Sequence, residues 1–243
     1  MFKKTLLISS ILLTLNACSD NNKNKEQEQN NLENKETVVV AKETKNIKNE
    51  EQVVVENNDT KYVEGTHYRK LENPIVLDDV SGDHIIEYFW LACPHCQNFE
   101  PMIQMLDKEL KDVEVVKRHA ALGKRWAKDA ALYYNMKELG HNEHLYDLFM
   151  FYKDIGQKEQ RLPEMEDIKR FLDSKKINSE EFFKNASSSK ITKEIEETIN
   201  EMRSNEINGV PAVVVNGKYL INNSKLPAGT NYKELVQYLT DLK

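Results

Sequence analysis

The tetrapeptide Cys93-Pro94-His95-Cys96 brings together the residue types best able to do chemistry in this chain. Two thiols separated by two residues can close a small disulfide ring, and the thiolate is the reactive form. Ile85-Ile86-Glu87-Tyr88-Phe89-Trp90 just before it is a short run rich in β-branched and aromatic residues, which reads as a buried strand. Pro94, then Phe99, Met102, Ile103, Leu106 and Leu110 at helical spacing, predict a helix that starts at the tetrapeptide. A strand feeding a helix here sets the Cys93 sulfur, in the first turn, against unsatisfied backbone N–H groups and the positive end of the helix dipole. Cys96, one turn on and less exposed, can attack a mixed disulfide and resolve it. Pro94 fits the first turn, where its missing N–H costs nothing, and His95 adds a donor near the thiolate. A favoured thiolate stabilises the dithiol form and makes the disulfide an oxidant. For such a couple ~30 mV corresponds to ~1.4 kcal/mol, so modest electrostatics move the balance far.

Zinc would need four ligands, and no second Cys-x-x-Cys or His-x₃-His pair offers them. A purely structural bridge would constrain little of the unfolded chain, because the loop is so small. Glu87 lies six residues before Cys93 in an otherwise apolar strand, where burying a carboxylate is expensive. It is either an edge-strand side chain turned to solvent or a buried acid beneath Cys96 that relays its proton.

The elements around this centre follow a readable order. Residues 113–119 alternate as a second strand, and strand, helix, strand at this length predicts a parallel βαβ unit. Residues 124–206 are helical in pattern. Trp126, Ala130, Tyr133 or Tyr134 and Leu139 form one apolar stripe, with Gly140, Gly156 and Pro163 as punctuation. Residues 212–215 form a strand, Asn216-Gly217 is a strong hairpin signal, and 218–221 pair back before a final helix from Tyr232. This is an α/β domain over 62–243 with a helical insertion at about 124–206.

The N-terminus predicts export. Lys3 and Lys4 precede an apolar run over 6–15, too short for the ~20 residues that span a bilayer. Leu15-Asn16-Ala17-Cys18 then resembles the bacterial lipobox. That resemblance implies a signal peptide over 1–17, cleavage before Cys18, and a diacylglycerol thioether on its sulfur, with further palmitate-type acylation of the new amino group. Several acyl chains anchor firmly, at ~0.8 kcal/mol per buried CH₂. Ser19, in place of an Asp, points to the outer membrane rather than the inner one. Residues 19–60 lack Gly, Pro and aromatic residues and are rich in Asn, Glu and Lys, so 18–61 is expected to be a disordered tether. Its valine clusters at 38–40 and 53–55 could equally form short strands or partner contacts.

The segment from Glu87 to Glu100, EYFWLACPHCQNFE, resembles the active-site segment of the DsbA family of thiol:disulfide oxidoreductases. Gly209-Val210-Pro211-Ala212-Val213-Val214-Val215-Asn216-Gly217-Lys218-Tyr219 resembles that family's cis-proline loop and hairpin. The resemblance covers about 62–243 and implies a thioredoxin fold with an inserted helical subdomain. It implies Cys93 as exposed nucleophile and Cys96 as buried resolving thiol. Pro211 is implied as a cis-proline facing them, with Val210 before it as part of a substrate lip. It favours the relay reading of Glu87, with Glu100 and Lys117 as charged residues that tune it; both could also be solvated surface. His119 reads as structural.

The expected activity is donation of the Cys93–Cys96 disulfide to reduced, unfolded exported proteins, with a quinone-linked, DsbB-like membrane protein as reoxidant. The site would face the periplasm from a lipid membrane held through Cys18. Isomerase or reductase activity on the same fold stays open: isomerases usually carry a dimerisation module, and 19–60 look too polar to be one. A non-enzymatic binding lipoprotein would not require Glu87, His95 and the Val210-Pro211 pair together. No nucleotide, metal or flavin motif occurs, so no cofactor is expected. The net charge of −6 argues against a nucleic-acid partner.

Overall fold

The computed structural model describes residues 61–242. The expected signal peptide, Cys18, and the expected tether with its valine clusters, up to residue 60, lie outside the described residues. Five strands form one sheet: β1 (Tyr68–Lys70), β2 (Asp83–Phe89), β3 (Val113–His119), β4 (Ala212–Val215) and β5 (Tyr219–Ile221), in the order β1-β5-β4-β2-β3. β2 and β3 run parallel, joined by helix α1 (Pro94–Glu109), as the βαβ pattern predicts. β4 returns antiparallel to β2, and β5 folds back on β4. β1 pairs antiparallel with β5 and was not legible in sequence, since three residues are too few for alternation to register.

The hairpin turn has both central residues in the left-handed region, Asn216 at φ 50° and Gly217 at φ 62°. A Cβ on Gly217 would fall 1.9 Å from the Ile75 carbonyl oxygen, so backbone packing as well as turn geometry demands glycine.

Period-two alternation in β2 divides the core. Ile85 joins α1 and the last helix, α7 (Tyr232–Asp241), on one face, while Ile86 and Tyr88 face the other. In α7, Leu235, Val236 and Leu239 are completely buried, each contributing about 1.5–3 kcal/mol. The insertion comprises α2 (Lys124–Glu138), one 3₁₀ turn, α3 (Leu145–Glu159), α4 (Met165–Ser174), α5 (Ser179–Asn185) and α6 (Ser189–Ser204). Its apolar core is continuous with Phe89, Leu91, Cys93 and Cys96, so the tetrapeptide sits where insertion and sheet meet.

Three expectations are corrected. Leu139 is not in the buried stripe; it is the C-terminal cap of α2 and 38% exposed. Gly156 lies inside α3, which runs on through the exposed Gln157, Lys158 and Glu159 and is capped by Gln160 in the left-handed region. Trp90 lies beyond β2, in the turn that leads to Cys93, where its indole has a partner outside the sheet.

Candidate active site

Cys93 is the N-cap of α1, one residue outside the first turn, and its sulfur accepts the Cys96 N–H at 3.4 Å. The Cys93 thiol is held down to about 6, first by the hydrogen bond from the Cys96 thiol and then by the backbone N–H groups of Cys96 and His95 and the charge of His95; burial opposes this. The Cys96 thiol is pushed the other way, first by burial, then by Cys93 and the Glu87 charge. Both residues are thiols, and Cys93 retains 7% of its surface while Cys96 retains none. Cys93 is thus more open than its neighbour but is not an exposed residue, because the insertion core closes over the turn. Pro94 and His95 are exposed beside it.

The turn before Cys93 is held on two sides by hydrogen bonds to its backbone. The Gln97 side chain donates to the Leu91 carbonyl at 2.9 Å. The Leu91 N–H donates to His119 Nε2 at 3.2 Å, which requires the His119 proton on Nδ1, where it meets the Ala120 carbonyl at 2.9 Å. Burial keeps His119 neutral by pushing it down to about 4.

Glu87 is completely buried in β2, an interior strand of the sheet, which excludes the edge-strand, solvent-facing reading. Burial raises its carboxyl to about 7, against the opposing pull of Lys117. Lys117 lies directly across in the β2–β3 register, its Nζ 3.2 Å from Glu87 Oε2 and 2.5 Å from Glu100 Oε2. Neither Glu87 oxygen accepts a hydrogen bond from the described residues, so the Lys117 ammonium is its nearest charged neighbour. Glu100 is also buried, so Glu87, Lys117 and Glu100 form one charged cluster on the α1 side of the sheet and not a solvated surface.

Facing the sulfur, the Val210–Pro211 peptide is cis, and the Val210 carbonyl oxygen lies 3.8 Å from Cys93 Sγ. Asn223 donates to the Pro211 carbonyl at 3.1 Å and accepts from the Tyr232 hydroxyl at 3.0 Å, which fixes the lip from α7. A groove of about 490 Å³ opens beside it, walled by His95, Phe99, Pro211, Leu226 and Tyr232 among others. A larger cavity, about 650 Å³, lies between residues 73–79 and α6 and touches neither cysteine. Gln97, Asn223, Leu226 and Tyr232 were missed as site residues from sequence. Only the pairing of distant segments brings them to the sulfurs.

A sheet of this order, with a Cys-x-x-Cys at a strand-to-helix junction facing a cis-proline, defines a dithiol–disulfide oxidoreductase of the thioredoxin fold. The Thioredoxin family model matches residues 78–232. Thiol:disulfide interchange protein DsbA of Pseudomonas syringae pv. tomato is 30% identical over 156 residues, covering 64% of this chain and 72% of that protein. DsbA of Pseudomonas aeruginosa is 26% identical over 181 residues, covering 74% and 85%. The crystal structure of Pseudomonas aeruginosa DsbA aligns with a TM-score of 0.62 at 29% identity, covering 74% of this chain and 93% of that one. The chain belongs to the DsbA family of thiol:disulfide oxidoreductases, with that family's helical insertion in a thioredoxin fold.

Proposed function

We propose that this protein donates its Cys93–Cys96 disulfide to reduced polypeptides in the bacterial cell envelope. The observation that carries the direction is the asymmetry of the two thiols, with Cys93 lowered to about 6 and Cys96 raised. A client thiolate attacks Cys93 Sγ, forming a client–Cys93 mixed disulfide and breaking the Cys93–Cys96 bond. Cys96 departs as a thiolate that its buried site disfavours, and it takes a proton, for which Glu87, near 7, is the nearby source. A second client thiolate then attacks the client sulfur of the mixed disulfide. Cys93 leaves as a stabilised thiolate, the better leaving group. The client gains a disulfide, the enzyme becomes a dithiol, and two electrons have moved to the enzyme.

The cis lip at Val210 and Pro211 supports pairing with an extended client backbone, and the adjacent apolar groove supports side-chain contacts. We propose a quinone-linked, DsbB-like membrane protein as reoxidant. Lipidation of Cys18 after removal of residues 1–17 would tether residues 62–243 to the membrane through 18–61. Ser19 supports the outer membrane.

Oxidised protein mixed with a dithiol peptide tests the chemistry. Wild type should oxidise the peptide and Cys93→Ala should not; full activity in the variant would refute the assignment. Insulin reduction and scrambled-disulfide rescue assays separate the reductase and isomerase alternatives. For the anchor, Cys18→Ser should leave the membrane fraction, and its retention there would count against lipidation.

A further inference from the structure

The indole of Trp90 leaves the sheet and donates Nε1–H to Asp129 Oδ2 at 2.8 Å. Asp129 belongs to α2 in the insertion and is only 3% exposed, although nothing in the thiol chemistry above calls for a carboxylate there. Its remaining lone pairs are filled from the insertion: Arg125 Nε at 3.1 Å to both oxygens and the Tyr152 hydroxyl at 2.7 Å to Oδ1. Arg125 is anchored in turn on the Pro163 carbonyl at 2.8 Å. The Trp90 ring also stacks on Trp126, centroids 4.2 Å apart and planes 14° from parallel. At the other end of the residue, the Trp90 carbonyl accepts the Cys93 N–H at 3.0 Å. One side chain therefore joins a rigid, fully satisfied carboxylate in the insertion to the peptide of the sulfur-bearing residue. Removing that link while leaving Asp129 buried would cost one acceptor its partner and leave the turn held only at Leu91, by Gln97 and His119.

We infer that Asp129 is a positioning residue of the dithiol reaction: acting through the Trp90 indole, it fixes the turn that presents Cys93. It does not touch either sulfur. The N–H groups that stabilise the Cys93 thiolate are those of Cys96 and His95, and their aim depends on where the turn places Sγ. The helical insertion thus does more than cover the site; through one hydrogen bond it sets the geometry at the cap of α1. The inference rests on the proposed reaction, in which Cys93 is the sulfur that the client attacks and the thiolate that leaves.

The test is the midpoint of Cys93 thiolate formation in the reduced full-length protein, read by ultraviolet thiolate absorbance. Trp90→Phe keeps an aromatic ring on Trp126 and deletes the N–H. Its midpoint should rise by about half a pH unit, roughly a three-fold loss in the acidity constant. Asp129→Ala, which leaves the indole N–H no side-chain acceptor, should move the midpoint the same way. The double variant should shift no further than the larger single one, because both changes break the same link. An unchanged midpoint in Trp90→Phe, even with lowered thermal stability, would overturn the inference, as would additive shifts in the double variant. If Asp129→Ala does not fold, Trp90→Phe decides alone. An ordinary thiol midpoint in wild type would instead refute the reading of Cys93 itself, so the two failures are distinguishable.

Discussion

Glu87→Gln should let the reduced protein gain more stability as pH rises than wild type does. In the native state burial raises the Glu87 carboxyl from an ordinary 4.5 to about 7. At 1.36 kcal/mol per pKa unit, the ionised form is disfavoured on folding by roughly 3 kcal/mol. The sign follows from proton binding. Between pH 4.5 and 7 the native state holds this proton more tightly than the unfolded chain, so the Glu87 contribution to stability falls as pH rises through that window and levels off above it, while the lowered Cys93 thiol contributes in the opposite sense. Glutamine keeps the shape and removes the titration, and Lys117 retains Glu100 at 2.5 Å, so no ammonium is left unpaired. Denaturant unfolding of both reduced proteins at pH 4.5 and pH 8 checks it, and the Cys93 titration cancels in the difference. Relative to wild type, Glu87→Gln should gain on the order of 2–3 kcal/mol between the two pH values. A difference that does not change with pH would refute the raised carboxyl, and with it the proton-source role.

Two further outcomes follow from the geometry. Alkylation of Cys93 in the reduced protein should rise with pH and level off above a midpoint near 6, since only the thiolate reacts; a midpoint near 9 would show that the cap does not stabilise it. Gly217→Ala should lose at least about 1–3 kcal/mol of stability, read by thermal or denaturant unfolding. Its Cβ would meet the Ile75 carbonyl in a backbone already at φ 62°, and an unaffected melting point would contradict that contact.

Local patterns in the chain carry the strands β2 and β4, the βαβ unit, the Asn216-Gly217 turn and the helical insertion. Each has its own periodicity or turn chemistry. Cys93, Cys96 and Glu87 are legible because their types are unusual for their settings, thiols at a helix start and an acid in an apolar strand, whereas Pro211 is legible only through the family resemblance of its segment. What escapes is whatever depends on distant partners. β1 exists only because β5 offers it an edge. The burial of Cys93 depends on α2 and α3 closing over the turn, which no local window records. Trp90 reads as one more strand aromatic, and nothing in its neighbourhood announces Asp129, 39 residues on. The groove wall is likewise assembled from α1, the cis-proline lip and α7, so Leu226 and Tyr232 read only as helix and loop residues.

The equilibrium redox potential of the Cys93–Cys96 couple, measured against glutathione, tests most directly whether the lowered Cys93 thiol makes the disulfide an oxidant. The expected value is about −180 mV or more oxidising, because the reduced form keeps a stabilised thiolate. A value near thioredoxin's, about −270 mV, would contradict disulfide donation as the function.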